Sequence, residues 1–159
     1  MRLKKRECSD PAFFDEVFGK AQELFLAMHD SDFPYLIPVN FCREGTRIYI
    51  HCALEGTKLD LIRRDKRVSF SLIADVSIDL PKATTYYKSV CGTGYAHIVE
   101  DPAEKGHALD CIGSRYNARC QRPAPQRDIE RVGIIRIDIV SLQGKRALPK
   151  PQENPSQEG

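Results

Sequence analysis

With 159 residues, 42% hydrophobic and 29% charged side chains, the chain reads as a single soluble domain with room for one real core. A net charge of +2 offers no global argument for nucleic acid, and no apolar run nears the ~18–20 residues that a membrane span needs. The cysteines Cys8, Cys42, Cys52, Cys91, Cys111 and Cys120 form no C-x-x-C pair, which argues against zinc and against a small secreted disulfide scaffold. Reduced thiols in a cytoplasm, mostly buried as small hydrophobes, are therefore expected.

The opening "MRLKKREC" is basic, and a charged helical pattern follows it rather than an apolar leader core. Arg2, Lys4, Lys5 and Arg6 read as a solvated arm. Asp10-Pro11 has the form of an N-cap followed by proline at the first helical position. Phe13, Phe14, Val17, Phe18, Ala21, Leu24 and Phe25 then recur at helical spacing, so an amphipathic helix is predicted from about residue 11 to 22. After the turn residues "SDFP", the runs "YLIPVNF" and "RIYIHCA" read as two strands of a hairpin joined by "CREGT". Pro38 argues for an edge position or a place where the ladder is interrupted, because it has no N–H for a second neighbour.

A short helix, "GTKLDLIRRD", precedes a third strand, "RVSFSLIADV". The long strand "YKSVCGTGYAHIVE" carries Gly92 and Gly94, which predict a bulge or sharp bend. "DPAEKGHALDCIGSRY" opens with Asp101, Pro102 and Glu104, resembling a capping box, and carries Ala108, Leu109, Ile112 and Tyr116 on its apolar face. "VGIIRIDIVSLQGK" is a final strand. The domain is expected to span residues 1–148, with 149–159 as a mobile, proline-rich polar tail. Successive antiparallel strands with marginal helices predict a mainly β protein built as a small barrel, not a doubly wound sheet.

The stretch "IYIHCALEGTKLDLI" carries the most chemistry. Ile48, Ile50 and Cys52 share one strand face, and Tyr49, His51 and Ala53 the other. The strand then delivers a helix start, where unpaired N–H groups and the helix dipole favour an anion. Gly56, Thr57 and Lys58 suit a phosphate there, although Lys58 also fits a solvated helix lysine. His51 reads either as a structural strand histidine or as a functional group. His29, His51, His97 and His107 show no metal-ligand spacing, so no metal site is expected. No Walker sequence, no G-x-G-x-x-G in a βαβ unit and no G-x-S-x-G is present.

"PYLIPVNF", "IYIHCALEGTKLDLIRRDKRVSF" and "YYKSVCGTGYAHIVEDPAEKGHAL", in that order, resemble the nitroimidazole-resistance (Nim) proteins. These belong to the pyridoxamine 5'-phosphate oxidase-like, FMN-binding split-barrel superfamily. "MRLKKRECSD" and "IDIVSLQGK" match the family's ends, so the resemblance covers about residues 1 to 148. It implies an antiparallel, Greek-key split barrel forming a homodimer with FMN in clefts between the subunits. It implies that Pro38, Val39, Asn40 and Phe41 border the flavin ring. His51, Cys52 and Ala53 would line the ring edge and ribityl chain. Lys58 would meet the phosphate, and Ser89 and Val90 would complete the cleft.

The implied activity is that of an FMN-dependent oxidoreductase acting on a small aromatic substrate, such as a nitroimidazole or other nitroaromatic. NADH or NADPH would be the electron donor, and His51 would donate a proton or orient the substrate. The alternatives are a non-catalytic flavin-binding module and a haem-binding split barrel with His51 or His97 as axial ligand. Relatives with a deazaflavin also exist. The family often has serine where Cys52 stands, and "SIDLPKATTYYKSV" lacks a tryptophan that often precedes the tyrosine. No nucleic acid or membrane partner is implied.

Overall fold

The computed structural model describes residues 4–116, 119 and 121–149. A 3-10 turn (Lys4–Arg6) and the short β1 (Glu7–Cys8) lead into α1 (Pro11–Lys20). Asp10 caps α1 by accepting a hydrogen bond from the Ala12 N–H at 3.0 Å, with Pro11 at the first helical position as expected. The helix is shorter than its hydrophobic stripe. Leu24 and Phe25 belong instead to β2 (Leu24–Met28), in which Leu24, Leu26 and Met28 alternate inward. In "ELFLAM" the helical and strand periods overlap over a few residues, and pairing with two neighbouring strands decides for the strand.

The remaining elements are β3 (Tyr35–Val39), β4 (Cys42–Glu44), β5 (Arg47–Cys52), α2 (Thr57–Arg64), β6 (Arg67–Asp79), β7 (Thr84–Val99), α3 (Pro102–Arg115), α4 (Gln126–Arg131) and β8 (Gly133–Ala147). All strand pairings are antiparallel, in the order β3-β2-β6-β7-β8-β5-β4, with β1 added to β8. The predicted hairpin is therefore split. β5 pairs with β4 around Gly45, whereas β3 turns back onto β2. Pro38 does lie on an edge strand. The two terminal strands of the sheet, β3 and β4, are separated in the chain by only Asn40 and Phe41. The sheet must curl until its edges nearly meet, and this gives the mainly β, split-barrel architecture expected from the sequence.

The barrel interior is apolar. Leu26, Phe41, Ile48, Ile50, Val90 and Ile137 are fully buried. α1 closes the interior with Phe13, Val17 and Phe18, and α2 adds Leu59, Leu61 and Ile62. Gly92 is required by this packing. A Cβ there would stand 2.3 Å from the Phe70 ring and 2.8 Å from the Ser141 carbonyl oxygen. The β7–β8 register shifts between Thr93 and Gly94, the bulge that the glycine pair predicts.

A second, smaller core lies on the outer face, where Ala108 and Ile112 of α3 cover Tyr49, Val99 and Ile134. Asp101 caps α3 by accepting from the Glu104 N–H at 2.8 Å. The Glu104 carboxylate accepts from Arg136 at 2.9 and 3.2 Å and from the Tyr49 hydroxyl at 3.3 Å, so that side chain ties α3 to the sheet. Elsewhere the outer face is bare of the described residues, and Phe25, Leu36, Ile73, Tyr95 and Val140 stand exposed. Beyond a bulge at Asp75 (φ 54°), β6 and β7 continue as an arm with Val76, Ile78 and Leu80 exposed. Lys20 and Lys88 both reach Asp75, at 2.8 and 3.0 Å, and both pair with Glu16. They pin the base of the arm to α1.

The cysteines depart from expectation. Cys42 and Cys111 are joined as a disulfide with their Cα atoms 6.0 Å apart, within the normal span of such a bond. Of the remaining cysteines described, Cys8 and Cys52 are half-buried and pack against the core as small hydrophobes, whereas Cys91 is exposed. No C-x-x-C spacing marks the pair because Cys42 and Cys111 are brought together across 69 residues by the docking of α3. Cys120 and the tail from residue 150 lie outside the described residues.

Candidate functional site

The stretch singled out in the sequence forms a ledge at the rim of the barrel. β5 alternates as read: Ile48 and Ile50 enter the core, Tyr49 lies under α3, and His51 is exposed where the strand leaves that cover. The chain then runs through exposed Ala53, Leu54 and Glu55 to Gly56, the N-cap of α2. Gly56 adopts φ 134°, a conformation that L side chains rarely take, and it offers no side chain to cap the helix. The Leu59 and Asp60 N–H groups bond back to the Gly56 carbonyl at 2.9 and 3.2 Å. The Thr57 and Lys58 amides are left for an external acceptor. Thr57 is exposed beside them and Lys58 is half-buried.

Burial pushes the Cys52 thiol above its ordinary pKa, and the positive charges of Lys58 and Lys105 pull partly the other way. Two ammonium groups therefore act on the end of β5, one from α2 and one from α3. Sequence reasoning missed Lys105. It lies fifty residues from the motif in a helix with its own amphipathic logic, and only the docking of α3 on β5 brings its field to Cys52.

Pro38 to Phe41 flank the same rim. Cys42 pairs with Tyr49, so Asn40 and His51, each two residues further out, leave the β4–β5 hairpin on the same side. Within this segment Pro38 and Asn40 are exposed, whereas Val39 and Phe41 are buried in the core. Phe41 has no exposed surface and Val39 almost none, so within one chain only Pro38 and Asn40 of this segment present a surface to a ligand. α3 holds Phe41: its N–H donates to the Tyr116 hydroxyl at 3.1 Å, and the Arg115 guanidinium lies 4.1 Å from its ring centroid.

Ser89 and Val90 are not part of the ledge within one chain. His51 and Val99 both pair with Ile134, which puts Val99 level with the ledge. Ser89 lies ten residues back along β7, roughly 33 Å of strand. Val90 is fully buried in the barrel, and Ser89 pairs with Ile73 on the bare part of the sheet. Two open cavities, about 560 and 400 Å³, lie on that bare face around Phe25, Ser71, Thr93 and Tyr95. Among the described residues, no group of three or more His, Cys, Asp or Glu side chains could hold a metal ion. No helix among them is long and apolar enough to cross a membrane.

A nearly closed antiparallel barrel with an anion-ready helix start at its rim defines a class, the pyridoxamine 5'-phosphate oxidase-like split barrels. A family model described as pyridoxamine 5'-phosphate oxidase matches residues 14–146, and the chain belongs to that family. No curated protein matches the chain.

Among solved structures, a protein provisionally assigned to 5-nitroimidazole antibiotic resistance, from Bacteroides thetaiotaomicron VPI-5482, is similar at 23% identity. Its TM-score is 0.78, over 88% of this chain and 86% of that one. An FAD and haem binding protein from Mycobacterium smegmatis is similar at 16% identity and TM-score 0.78, over 94% and 77%. An FAD-binding protein from Mesorhizobium loti is similar at 18% identity and TM-score 0.67, over 90% and 98%. At these identities the likeness carries the fold.

Proposed function

We propose that the chain is an FMN-dependent oxidoreductase acting as a homodimer in the cytoplasm, with a small nitroaromatic such as a nitroimidazole as substrate. The observation that carries this reading is the start of α2, where Gly56 caps the helix without a side chain and Lys58 adds positive charge, with Lys105 adding a second at the neighbouring Cys52. The donor set fits a dianionic phosphate monoester: free amides, a hydroxyl from Thr57 and ammonium groups. The exposed Pro38 and Asn40, with the buried Val39 and Phe41 holding them in place, and the chain at His51, Cys52 and Ala53 would border the flavin ring and ribityl chain.

When bound, the flavin would supply two-electron reduction, with NADH or NADPH as donor. The chain's own part is to hold the substrate flat on the ledge and to move one proton. His51 is exposed at the ledge, and imidazole titrates nearest neutrality among side chains, so it suits proton donation to a nitro oxygen or orientation of the substrate.

One chain offers a ledge open to solvent. The bare sheet face, with Phe25, Leu36, Ile73, Tyr95 and Val140, is the surface that a second copy would cover. Ser89 joins the site only if it is supplied across that interface, which is the arrangement we propose.

The test is flavin uptake. The purified protein should show a flavin absorption spectrum or acquire one with added FMN, and should oxidise NADH or NADPH when a nitroaromatic is supplied. Colourless protein that takes up no FMN contradicts the reading. Binding without turnover makes the chain a flavin-binding module. The similarity to the Mycobacterium smegmatis FAD and haem binding protein favours one further reading, haem on this barrel. A Soret band that shifts in His51→Ala would support that reading in place of the first.

A further inference from the structure

We propose that Cys42 and Cys111 form a reversible thiol–disulfide switch that fixes or releases the Pro38–Phe41 segment, operated by exchange with a low-molecular-weight disulfide. Cys42 is the first residue of β4 and directly follows Phe41, so a bond at Cys42 anchors the end of that segment. Its partner, Cys111, lies one turn before Arg115 and Tyr116, the pair that holds the segment from the other side. Tyr116 receives the Phe41 N–H at 3.1 Å and donates to the Gln22 carbonyl at 2.7 Å. Arg115 donates to the Ala21 carbonyl, and its guanidinium lies 4.1 Å from the Phe41 ring. The end of α3 thus grips the start of β4, and the loop after α1, by one covalent bond and a few weak ones.

The weak contacts include an exposed cost. The Arg115 Nε is buried with no hydrogen-bond partner, so the Arg115 contact is only partly satisfied. Loss of the covalent bond leaves this imperfect set to hold Phe41 alone. Breathing of the α3 end then carries Asn40 and Phe41 with it.

Access differs between the two sulfurs. Cys42 is 4% exposed, whereas Cys111 is only half-buried, so Cys111 is the entry point. Its thiolate attacks one sulfur of the small disulfide, the S–S bond of the reagent breaks, and one small thiolate leaves and takes a proton. The Cys42 thiolate then attacks the Cys111 sulfur and expels the second small thiol. Two cysteine thiols lose two electrons and two protons, and one small disulfide becomes two thiols. A dithiol reverses both steps.

The effect on cofactor affinity rests on the flavin reading above, whereas the switch itself does not. The experiment treats the full chain with oxidised glutathione or with dithiothreitol and maps its peptides. Amide hydrogen exchange is then followed at residues 39–41, and FMN is titrated into each form. The expected result is a cross-linked Cys42–Cys111 peptide only in the oxidised form. Exchange at 39–41 should be slower there by roughly tenfold, as for a local opening that loses one covalent hold. Cys111→Ser should exchange at the fast rate under both conditions.

Absence of the cross-linked peptide after oxidation, or equal exchange at 39–41 in the oxidised and reduced chains, overturns the switch. Different exchange with no FMN binding to either form upholds the switch and contradicts the flavin reading. Different exchange with an FMN affinity that follows it upholds both.

Discussion

The outer face of one sheet is handled in two ways. Where β5 and the first part of β8 turn outward, Tyr49 and Ile134 are sealed under α3. The seal is fastened by the Cys42–Cys111 disulfide and by Glu104 bridging Arg136 and Tyr49. Where β2, β3, β6 and β7 turn outward, Leu36 is 61% exposed and Tyr95 50% exposed, with none of the described residues covering them. Both regions obey the same two-residue alternation, so strand pattern alone does not separate them. The difference lies in what covers each face: the chain's own helix in one place and, on the reading proposed above, a second copy in the other. The ledge at His51 and Gly56 begins where the covered region ends.

The comparison has a baseline in the barrel interior, which needs no second chain. Ile137 is fully buried between the sheet and the helices, and Ile137→Ala should cost about 2–5 kcal/mol, read as a lower midpoint in urea unfolding. A cost below ~1 kcal/mol would mean that the interior is not the packed core described. The bare face should respond differently. Leu36→Glu should leave the isolated fold intact, as judged by its circular dichroism, while converting a dimer to monomers in sedimentation. A dimer that survives Leu36→Glu and Tyr95→Glu together would place the interface elsewhere.

The smallest effect is expected at the base of the arm. The Glu16 and Asp75 carboxyls are held below their ordinary pKa, chiefly by hydrogen bonds from Lys20 and Lys88. A carboxyl with a lowered folded pKa contributes stability above its unfolded pKa of about 4 and loses it as pH falls through the folded value. Lys20 and Lys88 are correspondingly raised, so their contribution is present at neutral pH and disappears only as alkaline pH passes through their folded values. Asp75→Asn, which tolerates the positive φ at that bulge, should lower the melting temperature slightly at pH 7 and leave it unchanged in acid, below the folded pKa, so that the acid limb of the melting profile flattens. An unchanged acid limb would show that the four charges are screened and contribute nothing measurable.

Much of this was legible in the sequence, and the failures share a cause. The caps Asp10 and Asp101, the edge proline Pro38 and the bulge near Gly94 are local signals, readable from neighbouring residues. So was the ledge, because a strand ending at Cys52 and a helix beginning after Gly56 are adjacent in the chain. β2 was misread because "ELFLAM" satisfies both periods, and only its pairing with β3 and β6 selects one. The Cys42–Cys111 bond, the charge of Lys105 beside Cys52, and the separation of Ser89 from His51 all depend on where α3 docks and how β7 and β8 are registered. Those are long-range placements, invisible to spacing.

The most direct test of the account is the affinity of Lys58→Ala for FMN compared with riboflavin, which lacks the phosphate. If the start of α2 holds the phosphate, FMN binding should weaken by about 1.5–3 kcal/mol while riboflavin binding hardly changes. Equal losses for the two flavins, or no loss for either, would contradict the assignment of this ledge as the phosphate end of a flavin site.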